Sequence, residues 1–466
     1  MRDPFATAAT TATPAPRAAT LSTAAARLGR RYIPAMSARP ASSSSAEIQQ
    51  QGPVSPGERL LAQLARMLHE AGTPAQRLEG LVGACAERLG VSVSIFSLPT
   101  WINISVDDPR LGEAGAQRTV NFRVEPGTPK LALLEETHRV ADRFIAGELG
   151  VDDALAELER VRRGVWQPNL WASCLGYALF SCGAARFLGG GTAEMLASLP
   201  VGFVVGLAIG LARGRREREL LSEFGGALIA SLLAALVAAT LPRFGWSVSL
   251  PIVSLAGLVT LLPGLALATA MSELSTRNLA SGSARLIGAI TTLVALGMGA
   301  AIGERIAVAA GLVAPEALKP VPFGGGVLDL GTAVAILAIA AGLAIAFHVR
   351  PRRAPIVLAS CVVGWSAAQL ARLASGDEYA PFFAALFIGI VGSLYARWRR
   401  RPTLAIVLPG LALLLPGSIG FRGVQGLLAS DTVEGIGTAF GALVVAAAIA
   451  AGLLVANALL PSPRHI

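Results

Sequence analysis

Hydrophobic and polar positions divide the chain into two regions with different periods. Between residues 57 and 165 apolar residues recur at the spacings of short helices and strands, whereas from Trp166 onward they form long runs. Amphipathic periodicity is typical of segments with one face in water, and an apolar run of about 20 residues can cross a bilayer as a helix. The pattern predicts a small water-exposed region followed by a polytopic membrane region.

The first region switches between the two secondary-structure periods. Helical spacing covers residues 58–71, 74–90, 131–149 and 151–163, and alternation covers residues 91–98, 101–106 and 119–124. Proline, glycine or aspartate bounds each alternating stretch, as expected for strands. The order of two helices, three strands and two helices predicts a small α+β domain, with an antiparallel meander packed against its helices.

Ten apolar runs follow, each near the length of a membrane span. They are residues 169–188, 193–212, 221–241, 247–270, 286–303, 327–348, 354–373, 379–396, 403–421 and 432–459. If ten helices alternate, the arginine-rich connections at 213–218, 350–353 and 397–401 share one side, which the positive-inside rule makes cytoplasmic. The predicted fold class is an α-helical polytopic membrane protein of about ten transmembrane helices, plus a small α+β cytoplasmic domain. We expect it in a bacterial inner membrane.

Six identical residues, Leu-Pro-Gly-Leu-Ala-Leu, occur at 262–267 and again at 408–413. The first copy lies in the fourth predicted helix and the second lies in the ninth, so each repeat contains five helices and the two repeats have opposite orientations. Proline removes an amide donor and glycine loosens the backbone, so such a pair frees carbonyl groups within the helix. Interrupted helices of inverted repeats form substrate sites in transporters. The alternative is a coincidence among segments rich in alanine, leucine and glycine.

These patterns set the expected boundaries. Residues 1–56 are acid-poor and rich in alanine, serine, threonine and proline, which predicts a disordered extension. Either an organelle transit peptide or a true start at Met36 fits this composition. The α+β domain is expected at 57–165, the first membrane repeat at 166–305 and the second at 306–460.

Composition excludes several other classes of protein. Hydrophobic residues make up 53% of the chain and charged residues 15%, which is too apolar for a soluble globular protein of this length. The net charge of +9 lies largely in short blocks between apolar runs, so membrane topology explains it better than a nucleic-acid partner does. The four cysteines and four histidines lack metal-ligand spacing, so we expect no metal and no cofactor.

Polar residues gather after each Pro-Gly pair. Glu273 is the candidate proton carrier, because desolvation near the membrane interior favours a protonated carboxyl group. Arg285 or nearby amides can hold a substrate carboxylate, and freed carbonyls can hold an ammonium group. Alternatively, Glu273 and Arg285 belong to a solvated cytoplasmic loop, and Arg422 to a plain membrane hairpin. The predicted substrate-binding set is Pro263, Gly264, Thr269, Ser281, Gly282, Arg285, Pro409, Gly410, Pro416, Gly417, Ser418 and Arg422.

The α+β domain contains one further candidate motif. Arg77 and Glu79 lie one helical turn or less apart, and we expect Arg123 of the third strand nearby. This group can form a substrate-sensing or hydrolytic site. The alternative is a salt-bridged helix start, since exposed pairs of this kind are common and contribute little stability.

Several short segments resemble the threonine/serine exporter family, whose members join a cytoplasmic domain to a duplicated membrane domain. In the first region these are Ala-Gly-Thr-Pro-Ala-Gln-Arg-Leu-Glu at 71–79, Leu-Pro-Thr at 98–100 and Arg-Val at 123–124. In the membrane region they are the two Leu-Pro-Gly segments, Ser-Gly at 281–282, Ala-Arg at 284–285 and Pro-Gly-Ser at 416–418. Their order along one chain makes the resemblance specific, and it covers nearly everything after residue 57.

The resemblance implies a secondary transporter that exports threonine, serine or similar small amino acids by antiport with protons. Its partners would be these amino acids, protons and membrane lipid, with no nucleic acid, and a homo-oligomer is left open. Ala-Thr-Ala at 268–270 lacks the asparagine expected near that position, so amino-acid export is implied more firmly than threonine in particular. A non-enzymatic role is expected, and the competing hypotheses are a membrane-anchored hydrolase and a sensor that acts through the α+β domain.

Overall fold

The computed structural model describes most of the chain after residue 54. The described residues are 55–108, 117–125, 129–212, 221–318, 329–399, 401–414, 416–429 and 432–461. The predicted disorder of residues 1–54 and the choice between Met1 and Met36 lie outside them, as does the arginine connection at 213–218. Within the described residues the fold is mostly helical and contains one three-stranded sheet.

Residues 55–164 form two helices, three strands and two helices, in the predicted order; we call them the α+β segment. Its elements are α1 Pro56–Glu70, α2 Ala75–Leu89, β1 Ser92–Leu98, β2 Trp101–Asp107, β3 Arg118–Arg123, α3 Leu131–Ile145 and α4 Val151–Gly164. The strands pair antiparallel in the order β1-β2-β3. The meander predicted from alternation is therefore confirmed.

Local sequence explains how these elements begin and pack. The Ser55 hydroxyl accepts the Glu58 N–H at 3.2 Å while the Glu58 carboxylate accepts the Ser55 N–H at 2.9 Å, which is a capping box at the start of α1. Residues Ile102, Ile104 and Val106 alternate along β2 and are all buried. Their common face packs on the helices, as period-two alternation requires.

Helices fill the rest of the described chain. They are α5 Leu170–Phe187, α6 Thr192–Ala212, α7 Ser222–Thr240, α8 Leu250–Leu258, α9 Gly264–Ser275, α10 Leu279–Ala309, α11 Leu330–Ala346, α12 Ala354–Arg399, α13 Leu404–Ala412, α14 Pro416–Leu428 and α15 Thr432–Leu459. Every predicted apolar run contains helix. The seventh and eighth runs both lie in α12, where Gly376 has a non-helical φ of 77° between them.

Six helical stretches among the described residues are long and apolar enough to cross a membrane. They are Thr192–Ala212, Ser222–Phe244, Leu279–Ala309, Pro351–Arg399, Leu404–Leu428 and Thr432–Leu459. The protein is thus a membrane protein with several apolar helices. The total of ten spans and their arrangement as inverted repeats stay predictions.

Two helix breaks meet each other inside the membrane region. The first lies between α8 and α9 and ends at Pro263, and the second separates α13 from α14, which begins at Pro416. A Cβ atom added to Gly264 would lie 3.2 Å from the backbone nitrogen of Gly417, and one added to Gly417 would lie 2.9 Å from that of Gly264. Backbone meets backbone here because neither residue has a side chain.

This contact pairs different residues from those in the six-residue recurrence. In the recurrence, Pro409 and Gly410 correspond to Pro263 and Gly264 of the first motif. However, both lie inside the buried helix α13. A Cβ atom on Gly364 would lie 2.6 Å from the Gly410 carbonyl oxygen, so Gly410 packs closely against α12. The second break falls at the next Pro-Gly pair, Pro416 and Gly417. The two membrane segments are therefore comparable in where their helices break, and not in the six residues that recur.

Candidate functional site

A cavity of about 550 Å³ lies where the two helix breaks face the α+β segment. We call it the central cavity. Both breaks contribute to its wall, and the turn between β1 and β2 contributes Pro99 and Thr100. Its polar wall residues are Thr100, Ser173, Tyr177, Glu223, Thr260, Arg285, Thr292, His348 and Ser418. A concave, mainly apolar space with a few convergent polar groups is typical of a small-molecule site.

The central cavity collects half of the predicted substrate-binding set. Its wall includes Pro263, Gly264, Arg285, Pro416, Gly417 and Ser418. The other six predicted residues lie outside the wall as the described residues define it: Thr269, Ser281, Gly282, Pro409, Gly410 and Arg422. Of these, Ser281 and Gly282 pack behind the wall: Gly282 lies close to Leu274, and Ser281 contacts Glu273.

Glu273 is buried, with 1% of its surface exposed. Its carboxylate accepts the Ser281 hydroxyl at 2.9 Å and two N–H groups of Arg285 at 3.2 Å each. Helix α9 ends at Ser275 and α10 begins at Leu279, so the chain reverses and brings these side chains together. A solvated loop, the alternative for these residues, is therefore wrong for Glu273.

Glu273 also holds the α+β segment. It accepts the backbone N–H of Ala75, in the first turn of α2, at 3.2 Å. Further along the same interface the Leu131 N–H donates to the Phe347 carbonyl at 2.9 Å. Two ion pairs complete the contact, Arg401 with Glu135 at 3.0 Å and Arg350 with Glu136 at 3.1 Å. The α+β segment thus forms the roof of the central cavity, and charged side chains attach it to the membrane region.

A carboxylate in the cavity wall, Glu223, was not expected from the sequence. Glu223 lies in the first turn of α7, and its carboxylate accepts the Thr292 hydroxyl at 3.0 Å. Arg285, Gly288 and Thr292 line the cavity from one face of α10, at helical spacing. Among the described residues no cation pairs with Glu223. A single acid just inside an apolar run is the only sequence signal that could have identified it.

The motif predicted in the α+β segment is not assembled as a network. Among the described hydrogen bonds and ion pairs, none joins Arg77, Glu79 and Arg123, and Arg123 is exposed at the end of β3. Burial lowers the pKa of the Arg77 guanidinium. Burial also raises the pKa of Glu79, which the nearby charge of Glu273 reinforces and a hydrogen bond from the Ser97 backbone opposes. Glu79 therefore lies near enough to Glu273 for the two charges to interact.

Family models match most of the chain. One, described as "Putative threonine/serine exporter", matches residues 59–307, and a second, described as "Threonine/Serine exporter, ThrE", matches residues 332–459. The chain belongs to the threonine/serine exporter family. Both helix breaks and the α+β segment from residue 59 onward fall within the matched residues.

Individual relatives are distant. The chain is 24% identical over 369 residues to "Pheromone-regulated membrane protein 10" of Debaryomyces hansenii, which covers 78% of this chain and 36% of the relative. It is 24% identical over 335 residues to "Threonine/serine exporter" of Corynebacterium glutamicum, covering 69% of this chain and 65% of that protein. The chain spans about a third of the length of the fungal relative. No solved structure matches it.

Proposed function

We propose that the protein is a secondary transporter that exports threonine, serine or a similar small amino acid from the cytoplasm through the central cavity. The observation that carries this proposal is the meeting of two broken helices at a cavity whose wall includes Arg285. Broken helices free backbone carbonyls for polar ligands without exposing them to lipid. The relative named as a threonine/serine exporter supports the choice of substrate class.

Arg285 is the proposed carboxylate-binding residue. Its Nε and one terminal nitrogen contact Glu273, which leaves further N–H groups of the five that a guanidinium carries. The Arg285 side chain has 20% of its surface exposed, and Arg285 lies in the cavity wall. Charge-assisted bonds from arginine suit a planar carboxylate. Pro263, Gly264, Pro416, Gly417 and Ser418 remain the proposed backbone and hydroxyl ligands.

Glu273 is the proposed proton-coupling residue. Protonation would remove its charge from Arg285 and weaken its acceptance of the Ala75 N–H. A single protonation event would therefore change both the substrate-binding arginine and the attachment of the roof. This arrangement supports antiport, with protons entering as amino acids leave.

The topology belongs to the same proposal. Arg350 and Arg401 lie in connections that contact the α+β segment, and the positive-inside rule places such arginines in the cytoplasm. We propose ten helices in two inverted repeats, residues 166–305 and 306–460, in a bacterial inner membrane, with residues 57–165 as a cytoplasmic domain. Opposite repeat orientations would allow the central cavity to open to each face in turn.

The test is threonine efflux from proteoliposomes loaded with labelled threonine, with and without an inward proton gradient. The proposal expects gradient-stimulated efflux in the wild type, loss of stimulation in Glu273→Gln, and unchanged efflux in the exposed-carboxylate control Glu378→Gln. An equal efflux rate of the wild type with and without the proton gradient would exclude proton coupling. Absence of efflux of threonine and serine would exclude the substrate class.

A further inference from the structure

We propose that Glu223 binds the ammonium group of the amino acid in the central cavity. This inference rests on the proposed transport function and deepens it, because it assigns the residue that distinguishes an amino acid from a hydroxy acid. Glu223 lies in the first turn of α7, inside one of the stretches long enough to span a membrane. It was not among the residues that the sequence pattern singled out.

The charge of Glu223 has no protein counter-ion among the described residues. The other cavity-adjacent carboxylate, Glu273, is neutralised by Arg285. Ionisable residues within membrane-spanning segments are costly and generally face a cavity or a charged partner. Glu223 lines the cavity, so a cationic ligand bound there can pair with its carboxylate.

The cavity wall that contains Glu223 supplies further oxygen acceptors. Thr292 donates to one carboxylate oxygen at 3.0 Å, which fixes the orientation of the group and leaves the second oxygen for a ligand. Thr260, in the break after α8, lies in the same wall, and its hydroxyl is buried without a hydrogen-bond partner among the described residues. An ammonium group has three N–H donors and no acceptor, so carboxylate and hydroxyl oxygens are its matching partners.

The polar groups of the cavity wall also differ along α10. Thr292 follows Arg285 by seven residues, which is about 10 Å along the helix axis at the usual rise per residue. The wall therefore presents N–H donors of Arg285 near one end and the Glu223 carboxylate further along. A zwitterionic amino acid fits these groups with its carboxylate toward Arg285 and its ammonium group toward Glu223. The opposite orientation would place two carboxylates together.

Threonine counterflow separates binding from proton coupling. In this assay, proteoliposomes filled with unlabelled threonine take up labelled threonine by exchange, with no proton gradient applied. The variants are Glu223→Gln, Glu223→Asp, which keeps the charge, and Glu378→Gln as an exposed control. Each is also tested for inhibition by serine and by 3-hydroxybutyrate, which keeps the carboxylate and hydroxyl of threonine but lacks its ammonium group.

For wild type we expect counterflow that serine inhibits and 3-hydroxybutyrate does not. Glu223→Gln should weaken threonine binding about 30-fold or more, as for loss of one partner of a buried charge pair. It should also narrow the preference for serine over 3-hydroxybutyrate, while Glu223→Asp keeps that preference. A melting profile like that of wild type shows that the variant is folded.

Three outcomes would contradict these proposals, and each one rejects a different assignment. Absent wild-type counterflow rejects the proposed transport function itself. Normal wild-type counterflow that persists unchanged in Glu223→Gln rejects the ammonium site alone. Counterflow that persists while gradient-driven efflux is lost makes Glu223 a proton carrier, which also rejects the ammonium site.

Discussion

Glu273 and Ala75 are joined by a hydrogen bond of 3.2 Å across 198 residues of sequence. The same carboxylate holds Arg285 in the wall of the central cavity. One buried side chain therefore connects the first turn of α2 with the proposed substrate-binding arginine. Any change in the charge of Glu273 therefore affects both the Ala75 N–H and the Arg285 guanidinium.

Removing the Glu273 carboxylate should destabilise the protein. In Glu273→Ala the Arg285 guanidinium loses its partner and the Ala75 N–H loses its acceptor, which should lower the free energy of unfolding by about 3 kcal/mol. Chemical denaturation in detergent measures this. In a double-mutant cycle, Arg285→Met should cost much less in the Glu273→Ala background than in wild type. Additive effects of the two substitutions would contradict the pairing.

The Gly264–Gly417 contact should not tolerate a methyl group. Gly417→Ala places a Cβ atom 2.9 Å from the backbone nitrogen of Gly264, so the backbone must move. We expect a loss of about 1–3 kcal/mol in stability and a reduced initial rate of threonine efflux. Gly288→Ala is the matched control, because Gly288 also lines the cavity and a Cβ atom there meets nothing within 4 Å. Equal effects of the two substitutions would contradict a specific backbone contact.

A cysteine at Thr100 should report on the orientation of the roof. All four native cysteines are buried, whereas Thr100 is exposed in the cavity wall, so Thr100→Cys introduces the reactive thiol. We expect a membrane-impermeant maleimide to label it from the cytoplasmic face only, and saturating threonine to slow the labelling. Rapid labelling from the opposite face would reverse the proposed topology.

Asp142 should make the α+β segment less stable as the pH rises. Burial raises the pKa of this carboxyl group from 3.8 to about 6, and its buried Oδ1 atom has no hydrogen-bond partner among the described residues. A raised pKa stabilises the fold below pH 3.8, and this contribution is lost as the pH rises through about 6. Asp142→Asn should raise the melting temperature at pH 7 but not below about pH 4. Asp152→Asn is the control for removal of an exposed carboxyl group from the same segment.

Sequence pattern predicted the α+β segment well because its determinants are local. The Ser55–Glu58 capping box and the alternation of Ile102 and Ile104 each act within a few residues. The membrane helices were predicted for the same reason, since hydropathy depends only on composition within a window. Helix packing depends on contacts between residues that are far apart in sequence, so no single hydropathy window predicts it.

The candidate site was therefore predicted only in part. Glu273 and Arg285 flank the turn between α9 and α10, in a polar stretch that stands out between two apolar runs. Glu223 meets Thr292 across 69 residues, and only the packing of α7 on α10 brings them together. The second break was predicted at Pro409, but this proline lies within α13, which ends at Ala412, and the next helix begins at Pro416. Recurrence of a short apolar string does not indicate which proline interrupts the helix.

The continuous hydrophobic core has a consequence for how the protein is made. Leu134 of the α+β segment and Leu343 and Phe347 of the membrane region belong to the same buried cluster. The ion pairs of Glu136 and Glu135 reach partners that are synthesised 214 and 266 residues later. The segment leaves the ribosome well before its docking surface exists. Its final docking must therefore wait until more than half of the chain has been translated and inserted into the membrane.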